Sequence, residues 1–113
     1  LDFWATWCAP CIALHPEIEA WAAETGVAVL GVSADDTQAG LEAWLRRHPA
    51  RWPSAAVGPA GDVNLAYGVS QWPQHALIDA EGRLLALGSF AALRKAAARE
   101  GIGRGAGAAA PAR

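Results

Sequence analysis

The chain holds two cysteines in 113 residues, and both lie in one tetrapeptide, Cys8-Ala9-Pro10-Cys11. A disulfide that stabilises a fold gains most by closing a long loop, because the entropy it removes from the unfolded chain grows with loop length. A bridge over two intervening residues closes a minimal loop, so this spacing points to a redox dithiol rather than to a structural staple. A zinc site needs a second pair of Cys or His ligands at regular spacing. His15, His48 and His75 form no such pair. On spacing alone, metal ligation and an inert pair stay open beside the redox reading.

The elements that must hold this dithiol follow from periodicity. Leu1-Asp2-Phe3-Trp4-Ala5 reads as the end of a buried strand, aromatic and apolar around one acid. A helix follows, with Pro10 in its first turn, where a missing N–H costs nothing. Cys11, Leu14, Ile18, Trp21 and Ala22 recur at helical spacing on one apolar face, and Thr25-Gly26 ends the helix. Pro16 lies inside it, where a kink is expected. Val27 to Val32 is a β-branched run without polar alternation, which predicts a central parallel strand covered on both faces. Asp35, Asp36 and Thr37 offer N-caps to a second helix with a Leu41, Trp44, Leu45 stripe and Arg46, Arg47 and His48 in its last turn.

The later chain reads as a short strand over 52–57, a turn at 58–61 and a short helix over 62–67 ending at Gly68. Residues 76–79 and 83–87 flank Ala80-Glu81-Gly82 as a hairpin. Residues 90–100 form an alanine-rich helix with Phe90, Leu93 and Ala97 on one side.

Composition bounds the function classes. Apolar residues make up 53% of the chain and charged residues 18%, with a formal net charge of −2. Such a chain lacks the basic field that holds nucleic acid or an anionic membrane. No apolar run approaches the roughly 20 residues of a membrane span, and no charged leader followed by an apolar stretch is visible. The sequence contains no methionine and its first residue already lies in a hydrophobic run, which reads as a fragment or a processed chain.

Phe3-Trp4-Ala5-Thr6-Trp7-Cys8-Ala9-Pro10-Cys11 resembles the active-site signature of thioredoxins, and most of all that of the extracytoplasmic thiol-disulfide oxidoreductases of the TlpA and ResA type. Pro16 matches the helix proline of these proteins. Trp72-Pro73 stands before the hairpin, where the family places its cis-proline loop. The long interval from Cys11 to Pro73 resembles the TlpA and ResA helix-strand insertion. This resemblance implies an α/β thioredoxin fold, a central mixed sheet flanked by helices. It covers residues 1–100, lacking the family's first N-terminal strands. Residues 101–113, rich in Gly, Ala and Pro, read as a disordered tail or a linker.

The resemblance also implies an activity: reduction of protein disulfides. Cys8 at a helix N-terminus feels the positive end of the helix dipole and free N–H groups, which favour its thiolate. It is the expected nucleophile, and Cys11, one turn inward, the resolving thiol. Asp2 matches the buried acid of thioredoxins and is the expected base for Cys11, with a pKa raised by its apolar strand. The lysine that thioredoxins often set beside this acid has no counterpart in Val27 to Val32. Trp7, Ala9, Pro10, Trp72 and Pro73 are the expected substrate-binding residues, with core packing an equal alternative for Trp72. Trp4 is expected in the core. Leu14 stands where many TlpA and ResA relatives carry glutamate, so their fine substrate tuning does not carry over.

His15 is read as solvent-facing, with tuning or copper ligation as the alternative, and His75 as sheet surface. No cofactor beyond the Cys8–Cys11 disulfide and no metal is expected. The expected partners are protein thiols and disulfides and an upstream thiol donor, met by a monomer in an extracytoplasmic or periplasmic compartment. Any membrane anchor would lie outside these residues. Ala9-Pro10 resembles the reducing members of the family. Two other readings compete. A thiol peroxidase would carry a Pro-x-x-x-Thr-x-x-Cys pattern around Cys8, which is absent. A Cu(I) metallochaperone would use Cys8, Cys11 and His15, since soft thiolates select that ion.

Overall fold

The chain runs β1 (Asp2–Trp4), α1 (Ala9–Thr25), β2 (Gly31–Ser33), α2 (Gln38–Arg47), β3 (Ser54–Ala56), α3 (Asp62–Ala66), β4 (Gln74–Ile78), β5 (Leu84–Gly88) and α4 (Phe90–Arg99). These elements come from a computed structural model that describes residues 1–50 and 52–103. The five strands form one mixed sheet in the order β3-β2-β1-β4-β5. β1 and β2, and β2 and β3, pair in parallel, whereas β4 is antiparallel to both β1 and β5. β1 is thus the middle strand, and its alternation sorts the core. Trp4 packs with Ala5, Cys8, Cys11, Ala34 and Leu41. Phe3, on the opposite face, packs with Val32, Val69 and Ala76.

α1 starts on Cys8 as N-cap, with Pro10 in its first turn, and stops at Gly26, whose φ of 77° is the left-handed conformation that glycine adopts freely. Ile18 and Trp21 of α1 meet Leu77 of β4 and Phe90, Leu93, Ala96 and Ala97 of α4. Burying side chains of this size stabilises by about 1.5–3 kcal/mol each. Leu14 and Ala22, expected on the same apolar face, are only half-buried. At the end of α4 the Ile102 N–H bonds the Ala97 carbonyl at 2.9 Å, and Ile102 packs against this cluster. Of the tail expected over 101–113, residues 101–103 are thus held against the domain by Ile102, and 104–113 lie outside the described residues.

Several sequence expectations change. The strand expected over Val27 to Val32 is confined to Gly31–Ser33. Gly31 is registered against Asp2 on one side and Ser54 on the other, and both ladders begin there, so Val27 to Val29 lie outside them while the Leu30 carbonyl accepts from the Asp2 N–H at 2.8 Å. They border a cavity of about 260 Å³ with Leu77 and Ile78 of β4. α2 is capped by Thr37 alone, whose Oγ1 accepts from the Gly40 N–H at 3.0 Å. Asp35 is buried and bonded elsewhere.

The β4–β5 turn explains itself locally. Asp79 Oδ1 accepts from the Glu81 and Arg83 N–H groups at 2.9 and 2.8 Å, and Gly82 takes a φ of 85°. Asp79 therefore leaves the strand that the sequence assigned to it and becomes the turn's anchor.

Gly31 permits a close three-strand contact. Trp4 of β1 is fully buried and donates its indole N–H to Ser54 Oγ of β3 at 3.0 Å, directly over Gly31 of β2. A Cβ on residue 31 would overlap the Ser54 hydroxyl and come within 2.9 Å of the indole nitrogen. Gly31→Ala is therefore expected to cost about 1–3 kcal/mol, the usual range for overpacking, read as a lowered urea midpoint. An unchanged midpoint would contradict this packing.

Candidate active site

Cys8 and Cys11 are joined by a disulfide with an S–S distance of 2.18 Å. Cys8 occupies the N-cap of α1, and its Sγ accepts from the Cys11 N–H at 3.3 Å. A sulfur so placed faces the free N–H groups of the first helical turn, which favour its anion. No acidic residue stands in that first turn to oppose the effect. Cys11 is 1% exposed and Cys8 5%, so Cys8 is the more open of two shielded sulfurs.

The loop that delivers Cys8 is tied down by a carboxylate. Asp35 Oδ2 accepts from the Thr6 N–H at 2.9 Å and from Ser33 Oγ at 2.5 Å, and its Oδ1 accepts from the Thr6 hydroxyl. Three bonds on one buried acid pin the stretch before Cys8 to the end of β2. Sequence reading placed Asp35 in a capping run. Only the parallel register, which sets Ser33 beside Trp4, brings Thr6 within its reach.

The expected docking residues gather at one edge of the dithiol. Trp7 is 59% exposed, and Ala9 and Pro10 are exposed beside it. Trp72 is half-buried, touching both the cysteine cluster and the Phe3 cluster, and its ring meets Trp7 edge-on at 5.7 Å. The Trp72-Pro73 peptide bond is cis. Trp72 therefore packs in the core, with its ring also against the exposed Trp7. Trp4 is core, as expected.

Asp2 differs from expectation. It is 2% exposed, yet its oxygens face two imidazoles: His15 Nε2 at 2.9 Å from Oδ2 and His75 Nε2 at 3.1 Å from Oδ1. Burial pushes the carboxyl up, but bonding and charge from His15 and His75 outweigh it and hold the group below the ordinary aspartate value. The expectation of a raised pKa is overturned for this reason. Nor is His15 solvent-facing or His75 on the sheet surface: they are 16% and 3% exposed. His15 falls on the sheet side of α1, and His75 on the α1 side of β4, opposite Asp2 in register. Their common signal was the partner each needed, and that partner is far away in sequence. Among the described residues, no three His, Cys, Asp or Glu side chains group so as to hold a metal ion.

Known proteins fit this geometry. The family model described as Redoxin matches residues 1–98. The chain belongs to the redoxin family. It is 34% identical over 85 residues to a thiol:disulfide interchange protein DsbE homolog of Paracoccus denitrificans, covering 75% of this chain and 46% of that protein. It is 31% identical over 88 residues to the thiol-disulfide oxidoreductase ResA of Bacillus thuringiensis subsp. konkukian, covering 75% and 50%. The chain thus spans about half the length of the curated relatives it matches. Among solved structures it is similar to the exposed lipoprotein thioredoxin of Streptococcus pneumoniae, with a TM-score of 0.72, 27% identity, and coverage of 87% of this chain and 81% of that one. A thio-disulfide isomerase of Thermus thermophilus aligns with a TM-score of 0.67 at 30% identity, covering 89% and 77%. The redoxin is an α/β protein of thioredoxin fold, and its resemblance to TlpA and ResA proteins holds.

The Asp2 cluster has a pH signature. A carboxyl whose folded pKa lies below its unfolded value of about 3.9 adds stability above that unfolded value, and the addition is lost as pH falls through the lower folded value. The unfolding free energy of the redoxin should fall between pH 5 and pH 2, and that of Asp2→Asn should fall less. Equal slopes in urea titrations of the two proteins would contradict the assignment.

Proposed function

We propose that this redoxin is a thiol-disulfide oxidoreductase that reduces protein disulfides. The observation that carries the reading is Cys8 Sγ at the N-cap of α1, within bonding distance of the Cys11 N–H and of the Cys11 sulfur. In the reduced protein, the Cys8 thiolate attacks one sulfur of a substrate disulfide. A Cys8–substrate bond forms, the substrate S–S bond breaks, and the leaving thiolate takes up a proton. The Cys11 thiol then loses its proton and attacks Cys8 Sγ, releasing the second substrate thiol and leaving the Cys8–Cys11 disulfide. An upstream thiol donor supplies two electrons to restore the dithiol. No cofactor enters these steps.

Trp7, Ala9, Pro10, Trp72 and Pro73 form the docking edge in this reading. Its support is the exposed Trp7 ring set against Trp72 beside Cys8. Residues 1–100 act as one domain. The compartment is extracytoplasmic, in keeping with the similarity to a lipoprotein thioredoxin described as exposed. Among the described residues, no helix is long and apolar enough to cross a membrane. The Ala9-Pro10 pair favours a reductant, with a potential nearer about −270 mV than about −120 mV.

Purified protein is expected to reduce insulin, and Cys8→Ser to abolish that activity. Cys11→Ser is expected to trap a mixed disulfide on Cys8. Insulin reduction that survives in Cys8→Ser would end this reading, and rapid peroxide consumption in its place would favour a peroxidase.

A further inference from the structure

Resolution of the mixed disulfide needs an acceptor for the Cys11 proton, and the buried acid is poorly suited to that task here. Both Asp2 oxygens are engaged by imidazole nitrogens at 2.9 and 3.1 Å, and the carboxyl is held in its ionised form. His15, however, lies four residues beyond Cys11 on α1. Residues at that spacing are helical neighbours, about 5–6 Å apart at Cβ. The buried Trp4 indole, which packs with Cys8 and Cys11, also meets the His15 ring edge-on at 4.8 Å, so dithiol and imidazole share one wall.

We propose that His15, oriented by Asp2 and backed by His75, takes the Cys11 proton during resolution. The proposal rests on the oxidoreductase reading and names the base of that site. With the Nε2 atoms of both rings set against the ionised Asp2 oxygens at 2.9 and 3.1 Å, the Nδ1 of each ring is the nitrogen left to take a proton. Asp2 with two neutral imidazoles is a buried cluster of net charge −1, and one proton on His15 makes it neutral. A buried net charge is costly, and neutralising it removes that cost. His75 is the lesser candidate, because its Nδ1 is buried without a partner and a charge there would have no solvent. The other rings against the two imidazoles, Trp4, Trp52 and Phe90, carry no charge. The titratable groups around the device are Asp2 from β1 with the Leu1 amino group that its charge reaches, Cys11 and His15 from α1, and His75 from β4.

The proton moves as follows. In the mixed disulfide, the Cys11 S–H bond breaks and the proton passes to His15 Nδ1. The Cys11 thiolate attacks Cys8 Sγ, the Cys8–substrate bond breaks, and the departing substrate thiolate is protonated from solvent or from His15. His75 and Asp2 act as positioning residues throughout.

The test separates resolution from attack. Reduced full-length chain is mixed with a peptide disulfide, quenched with acid, and the mixed disulfide on Cys8 is followed by mass spectrometry from pH 5 to pH 9. His15→Gln retains an N–H for Asp2 but takes no proton. It is expected to slow decay of the mixed disulfide tenfold or more, the lower range for losing a general base being about 100-fold when transfer limits the step. Alkylation of Cys8 by iodoacetamide should stay within twofold of wild type. Decay within twofold of wild type, or alkylation slowed in parallel with decay, overturns the proposal. Wild-type protein gives a second readout independent of whether the variant folds: the nitrogen shifts of the neutral His15 ring in NMR should show the proton on Nε2, facing Asp2, and a bare Nδ1. A proton on Nδ1 in place of Nε2 overturns the proposal as well. If wild-type protein forms no mixed disulfide on Cys8, the oxidoreductase reading itself fails, and this one with it.

Discussion

A carboxylate in an apolar interior must be paired, and the pairing of Asp2 sets much of this molecule. Its two partners come from different elements, His15 from α1 and His75 from β4, and both meet it on the middle strand of the sheet. To satisfy both oxygens, α1 must lie with His15 turned inward, and β4 must hold the register that opposes His75 to Asp2. That rotation of α1 also turns Cys11, Ile18 and Trp21 inward. Removing one partner from such a cluster leaves uncompensated buried charge, which is far more costly than the intact cluster.

The dithiol sits where two such constraints end. From below, α1 offers Cys8 its N-terminal N–H groups. From the side, Asp35 holds Thr6 and so fixes the path of the loop that enters Cys8. Trp4 stands between, bonded to Ser54 across Gly31 and packed on His15 and Trp44. The site is therefore built on buried, hydrogen-bonded supports, while its edge is apolar, an exposed Trp7 set against the half-buried Trp72. Stiff support below and an apolar rim above suit the thiol-disulfide exchange proposed for this site.

Much of this was legible from residue types. Cys8 and Cys11 speak through spacing, and α1 through Pro10, its apolar period and Gly26. The hairpin is legible through Gly82, although the anchoring role of Asp79 is not. What resisted reading shares one cause. Val27 to Val32 has strand composition throughout, but the ladders to β1 and β3 take it up only from Gly31 onward. Asp35 has capping composition, but its carboxylate bonds Ser33 and, 29 positions away, Thr6. His15 and His75 look like ordinary surface residues until Asp2 is placed between them.

The sequence by itself determined the chemistry and its local stage: two thiols one helical turn apart, the first of them at a helix N-terminus, flanked by aromatics and followed at a distance by Trp72-Pro73. These are short-range facts, set by residue type, propensity and spacing along the chain. Only the tertiary structure decided the ionisation of Asp2 and the burial of its histidines, because a pKa depends on the charges and solvent around a group. Here those charges come from α1 and β4, and only the folded sheet brings them to β1.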